Sequence, residues 1–198
     1  MIISISGRLQ SGKDTASEFI QEFAPAYEWQ VKKWAGKLKQ IASTLTNIPL
    51  SKWEDNEFKK SILPAPWSNF TGRSFLQKLG TDALRNSFDQ DVWIKSLMSE
   101  YVVNTIAVGS NEFDIVEVDI EPNWIITDTR FPNELQAIKE KGALLIKVVR
   151  PEAEVTGGHE SETQLDSYMD WDYIIENTGT LQDLRDEVKR ILIQEKLI

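Results

Sequence analysis

The sequence predicts an α/β fold in three layers, a mostly parallel sheet flanked by helices with a small β-hairpin inserted. Three observations carry that expectation. The first is the opening stretch, MIISISGRLQSGKDTASEFI, in which a short apolar run leads through a glycine-bounded turn into an amphipathic segment. The second is the alternation of strand-like and helix-like runs toward the C-terminus, the pattern of parallel strands joined by helical crossovers. The third is a pair of β-like runs, Thr105–Val108 and Ile115–Ile120, around Gly109-Ser110-Asn111, a hairpin signature within residues 102–122.

Taken in order, Ile2, Ile3 and Ile5 have the size and composition of a buried strand. Gly7 to Gly12 forms the turn, and Ala16, Phe19 and Ile20 recur on one helical face. Strand, Gly-x-x-x-x-Gly-Lys and helix together make the P-loop in its expected setting. Gly7 and Gly12 allow the backbone to approach phosphate oxygens, and successive N–H groups at a helix start point at the anion. Lys13 adds a point charge for the β- and γ-phosphates. The chain departs from the pattern at Asp14, where Ser or Thr normally meets magnesium, with Thr15 one residue later. Asp14 can ligate the metal or cap the helix and leave Thr15 to the metal; both readings stand.

Phe23–Ala26 reads as a break, and Tyr27–Trp34 as a second strand. A helix begins at Ala35-Gly36-Lys37 and runs to about Thr46, with Pro49 stopping it. Residues 47–72 lack clear periodicity and hold Trp53, Phe58, Trp67 and Phe70, which reads as a lid or as a packed cap. Arg73–Leu79 is expected to be helical, broken or kinked at Gly80-Thr81-Asp82, with further helices over 83–86 and from Asp91. Trp124–Thr127 reads as a short strand ending in Asp128-Thr129-Arg130, followed by a helix from Pro132 that Lys141-Gly142 closes. Leu144–Val149 and Tyr173–Ile175 complete the strands, and Leu181 to about Leu197 forms the last helix.

Strand ends are where such sheets gather ligands. Asp128 stands where a magnesium-holding carboxylate is expected, although it could instead cap the following helix. Arg130 is suited to clamp phosphate oxygens, or to pair with Glu134 on the next turn. Arg150 and Arg73 carry the same two readings. His159, within the HESE run, reads as a solvated loop histidine in preference to a metal ligand.

Composition narrows the classes. With 198 residues, 41% apolar and 27% charged, the chain fits a single soluble domain spanning 1–198. The absence of Cys removes thiol catalysis and Cys-bound zinc, and fits a reducing cytoplasm. No run of 18 apolar residues suggests a membrane span. The net charge of −9 argues against binding a nucleic-acid polymer, whereas a phosphorylated small molecule needs only a local basic pocket.

Several segments together resemble a known family: SGRLQSGKDTASEFI, AGKLKQIA, RSFLQKLGTDALRNSFDQDVWIKSL, IITDTRFPNELQAIKEKGALLIKVVRP, the HESE loop and YIIENTGTLQDL. In that order they are similar to the bacteriophage deoxynucleoside monophosphate kinases, within the P-loop nucleoside-monophosphate-kinase-like group. Residues 47–72 and the 102–122 hairpin are poorly covered. The resemblance implies a P-loop kinase of host cytoplasm that takes ATP, Mg²⁺ and a deoxynucleoside monophosphate. It implies that Gly7, Ser11, Gly12 and Lys13 bind the donor, with Asp14, Thr15 and Asp128 on the metal side. Lys13, Asp128 and Arg130 would be catalytic and Arg150 would bind donor phosphate, while Lys37, Arg73 and Arg130 would face the acceptor. Rival readings are a kinase for another small acceptor, such as phosphomevalonate or dephospho-coenzyme A, and a nucleotide-binding regulator without turnover. A homodimer is a further expectation, and the aromatic residues of 47–72 read as an interface or as a lid.

Overall fold

A computed structural model describes residues 1–108, 116–151 and 164–198. The chain divides into two compact units, one of residues 1–33 and 100–198, the other of residues 34–99.

The first unit is built on five parallel strands. They are β1 (Ile2–Ser6), β2 (Gln30–Lys32), β5 (Trp124–Ile126), β6 (Leu144–Val149) and β7 (Tyr173–Glu176), in the order β2-β5-β1-β6-β7. Every residue of β1 is buried, as an apolar central strand must be when both sheet faces are covered. Helices α1 (Lys13–Phe23) and α8 (Leu181–Gln194) pack on one face. There Ala16, Ile20, Leu184, Val188 and Ile191 close over Ile3, Ile5, Ile146 and Val148. Each of these fully buried branched side chains contributes on the order of 2 kcal/mol relative to exposure. Helix α7 (Pro132–Lys139) follows β5 and buries Leu135 and Ile138. Thr180 caps α8, accepting from the Asp183 N–H while the Asp183 carboxylate accepts from Thr180.

The hairpin forms as the pattern indicates, with β3 (Asn104–Val108) antiparallel to β4 (Val116–Ile120); residues 109–115 lie outside the described residues. All ten strand residues are exposed, so the hairpin supplies nothing to the core. At its base the Tyr101 ring meets Trp124 edge-on, and the Tyr101 hydroxyl donates to Glu121.

The second unit contains α2 (Gly36–Thr46), α3 (Leu50–Glu54), α4 (Asn56–Lys60), α5 (Gly72–Gln77), a π-helix over Lys78–Asn86, and α6 (Val92–Met98). One expectation changes nearby, and two segments take definite form. The strand over 27–34 shrinks to the three residues of β2, because Pro25–Tyr27 coils into a 3₁₀ turn that Glu28 ends at φ 51°. Residues 47–72 are largely ordered: Asp55 caps α4, and Trp53 is fully buried with Phe58 and Phe75 against it. Trp67 and Phe70 also meet Phe75 edge-on, so these rings serve the unit's own core. Gly80 does not break the helix after α5. The chain continues through it in a widened π turn, and a Cβ on Gly80 would stand 2.5 Å from Leu38. Close packing, and not a turn, is what that glycine permits.

Candidate functional site

The site begins with the turn between β1 and α1. Gly12 has φ 101° and ψ 8°, a conformation that suits glycine, and Gln10 is also left-handed at φ 64°. Two further contacts explain the glycines. A Cβ on Gly7 would lie 2.5 Å from both Ser11 Oγ and the Val148 carbonyl, and one on Gly12 would lie 2.5 Å from Asn177 Nδ2. The loop thus winds tightly against β6 and the end of β7. Inside it the Ser11 N–H donates to the Arg8 carbonyl at 3.1 Å, and Lys13 Nζ donates to the same carbonyl at 3.2 Å. Lys13 opens α1 and is only 9% exposed, so its ammonium is folded back over the loop at the helix N-terminus. The Ser11 hydroxyl is buried without a hydrogen-bond partner. Asp14, in the first turn, is exposed.

The neighbouring strand end is held by a different device. Asp128, Thr129 and Arg130 follow β5 directly. Thr129 is buried and bonded to β1 twice: its hydroxyl lies 2.9 Å from Ser4 Oγ, and its carbonyl accepts from Ser6 Oγ at 3.0 Å. Glu134 is buried, and its carboxylate accepts the backbone N–H groups of Arg130 at 2.9 Å and Phe131 at 3.1 Å. Sequence reasoning offered Glu134 as a side-chain partner of Arg130; in the structure its carboxylate satisfies backbone donors at the start of α7.

These two strand ends and that of β6 surround a cavity of about 440 Å³. Gly7, Arg8, Arg130, Lys147, Arg150 and Asp166 are on its wall. Arg8 donates to Asp166 at 2.9 Å across an exposed part of the rim. Among the described residues, four cationic residues and one carboxylate line this wall, which suits a polyanion, and three of the four are arginines whose guanidinium can grip two oxygens.

Of the residues singled out in the sequence, Gly7, Ser11, Gly12, Lys13, Asp14, Thr15, Asp128, Arg130 and Arg150 therefore lie at the carboxyl edge of one sheet, at the ends of β1, β5 and β6. Lys37 and Arg73 belong to the second unit, where they are half-buried in the first turns of α2 and α5. His159 and the rest of the HESE run lie outside the described residues. Sequence reasoning missed Arg8, Lys147, Asp166 and Asn177. Arg8 occupies a variable position of the motif, and the others join the site only because β6, β7 and the chain before β7 fold beside the loop. The Asn177 signal was available in part, since Asn-Thr-Gly between a strand and a helix marks a tight junction.

Among the described residues, no group of three or more His, Cys, Asp or Glu could hold a metal by itself. None of their helices is long and apolar enough to cross a membrane.

Comparison with known proteins decides the family. A family model described as deoxynucleotide monophosphate kinase matches residues 45–188, well over half the chain. The chain belongs to the deoxynucleotide monophosphate kinase family. The deoxynucleotide monophosphate kinase of Enterobacteria phage T4 is 25% identical, across 96% of this chain and 98% of its own. That of Escherichia phage RB69 is 32% identical over 120 residues, 61% of this chain and 44% of its own. A protein of Acanthamoeba polyphaga mimivirus, provisionally given the same designation, is 27% identical across 95% of this chain and 94% of its own. Deoxynucleotide monophosphate kinase family membership makes the chain a phosphotransferase acting on nucleotides, with ATP as phosphate donor. The P-loop lies outside the matched span and stands on its own geometry.

Proposed function

We propose that the protein is a nucleoside monophosphate kinase that transfers the γ-phosphoryl group of ATP to a deoxynucleoside monophosphate, giving ADP and the deoxynucleoside diphosphate. The observation that carries this reading is the meeting, at one sheet edge, of a glycine-bounded loop with Lys13 folded over it and a cavity walled by Arg8, Arg130 and Arg150. A lone P-loop would serve any nucleotide hydrolase. An adjacent cationic cavity gives a second anion, the acceptor phosphate, a place beside the donor.

In this mechanism an acceptor phosphate oxygen attacks the γ-phosphorus in line, and the bond to the bridging oxygen of ADP breaks. The acceptor oxygen is already ionised at neutral pH, so no dedicated base is required. Loop N–H groups and Lys13 hold the donor β- and γ-phosphates and stabilise the charge that develops on the leaving oxygen. Arg130 and Arg150 grip phosphate oxygens and keep the two anions aligned against their mutual repulsion. Lys37 and Arg73 serve the acceptor nucleotide.

A magnesium ion fits the donor set. It prefers hard oxygens and keeps several waters and phosphate oxygens, so it needs few protein ligands and no closed protein cage. Asp14, Thr15 and Asp128 would hold it; the exposed carboxylate of Asp14 in the first turn of α1 suits that role. When bound it supplies charge neutralisation at the donor phosphates.

Coupled assays with ATP–Mg²⁺ and a panel of deoxynucleoside monophosphates test the proposal. At least one is expected to be phosphorylated, and Lys13→Met is expected to lower kcat/KM on the order of 10²-fold or more. ATP binding with no transfer to any deoxynucleoside monophosphate would refute the kinase reading. Transfer to a different small phosphorylated acceptor alone would refute the substrate class.

A further inference from the structure

We propose that Asn177 is a positioning residue for the donor-phosphate loop, fixing from the end of β7 the direction in which the loop presents its N–H groups. The inference rests on the reading of Gly7–Lys13 as the donor site. Asn177 follows β7, and its own N–H donates to the Val149 carbonyl at 2.7 Å, continuing the β6–β7 ladder by one residue. Its backbone is therefore set by the sheet and not by the loop. From that fixed point its carboxamide Nδ2 donates to the Ser11 carbonyl at 2.8 Å, joining residues 166 positions apart.

The consequence follows from peptide geometry. A trans peptide is planar, and its C=O and N–H point in opposite directions. Holding the Ser11 carbonyl toward Asn177 therefore turns the Gly12 N–H the other way, toward the side of the loop away from β7. Two further observations show that the arrangement is tight. Gly12 lies against the carboxamide so closely that a Cβ would stand 2.5 Å from Nδ2. The Ser11 side chain turns inward, its Oγ 2.5 Å from where a Gly7 Cβ would be, so the hydroxyl fills the loop while the carbonyl bonds outward. Without the Asn177 donor, the Ser11–Gly12 peptide is free to rotate, since glycine accepts either orientation at low cost. A rotated peptide would aim a carbonyl oxygen at the phosphate in place of an N–H.

Asn177→Leu keeps the side-chain shape and removes the donor, and Asn177→Asp keeps size and polarity but sets a carboxylate beside the Ser11 carbonyl. In both variants KM for ATP is expected to rise roughly ten-fold, the loss typical of one hydrogen bond that fixes a binding group. KM for the deoxynucleoside monophosphate at saturating ATP should stay within about two-fold, because only the donor loop is disturbed. A ¹⁵N–¹H spectrum adds a readout that a purely structural role would not move: the Gly12 amide shift on adding ADP–Mg²⁺ should shrink in the variants. If Asn177→Leu does not fold, Asn177→Asp carries the comparison. Unchanged KM for ATP with an unchanged Gly12 shift overturns the inference. So does an equal rise of both KM values accompanied by a lower melting temperature. If the wild-type protein itself binds no ADP, the donor-site reading fails and the inference falls with it, an outcome distinct from a variant that matches a binding-competent wild type.

Discussion

Replacing Glu134 with alanine tests how the Asp-Thr-Arg strand end is held. The Glu134 carboxylate, 3% exposed, accepts two backbone N–H groups at 2.9 and 3.1 Å. Hydrogen bonds to a charged group each contribute roughly 1.5–3 kcal/mol net, and removing the acceptor leaves both donors at the start of α7 without their partner. Losing the pair is therefore expected to cost about 3 kcal/mol at the lower bound. For a chain of this size, about 2–4 °C per kcal/mol places the melting temperature roughly 6–12 °C lower. Glu134→Gln keeps an amide oxygen at the same place and should cost about 1 kcal/mol. Thermal unfolding followed by tryptophan fluorescence reads both variants, and the dNMP-kinase assay at a temperature where both are folded reads the site. Because the two bonds fix the backbone from which the Arg130 side chain leaves, kcat/KM should fall for alanine more than for glutamine. A Glu134→Ala protein melting within about 1 °C of wild type would refute the reasoning, as would a glutamine variant as damaged as alanine.

Gly12→Ala must place a Cβ at φ 101° and 2.5 Å from Asn177 Nδ2; the left-handed strain alone costs roughly 1–2 kcal/mol, so lower stability and weaker ATP binding are expected together in calorimetry. The hydroxyl and N–H of Thr180 donate to Asp183 and hold its carboxyl below the ordinary range. A depressed folded-state pKa gives stability that is present above the unfolded value of about 3.9 and is lost as pH falls through the folded value. The melting-temperature gap between wild type and Thr180→Val should therefore narrow as pH drops below about 4, and a gap constant down to pH 2 would contradict that linkage.

Local chemistry made much of the fold and half of the site legible in advance. The Gly-x-x-x-x-Gly-Lys spacing required a tight loop between strand and helix, and the structure contains one because only glycine tolerates the φ of Gly12 and the approaches at both ends. The runs at 2–6 and 124–126 became strands buried on both faces, and that at 144–149 a strand buried through its first three residues with Lys147 and Val149 turned toward the cavity side. Periodicity failed where tertiary packing outweighs it. Tyr27 and Trp29, which favour strands, stack on one another at 5.0 Å outside the sheet. Residues 47–72 carried no repeat because two five-residue helices are too short to display one, yet Trp53 and Phe75 give them a core.

The sequence by itself determined that this protein has a phosphate loop, that Asp128, Arg130 and Arg150 terminate apolar runs, and which family those segments belong to. Each of these is a matter of residue type at short spacing, which the local backbone reads directly. Only the tertiary structure decided that Arg8 and Lys147 share a wall with Arg130 and Arg150, and that the backbone at Arg130 is bonded to a buried Glu134. It alone brought Asn177 to the carbonyl of Ser11, 166 residues away. The order β2-β5-β1-β6-β7 sets β1 between strands that follow it by more than a hundred residues, and no local preference along the chain encodes which strand ends will meet.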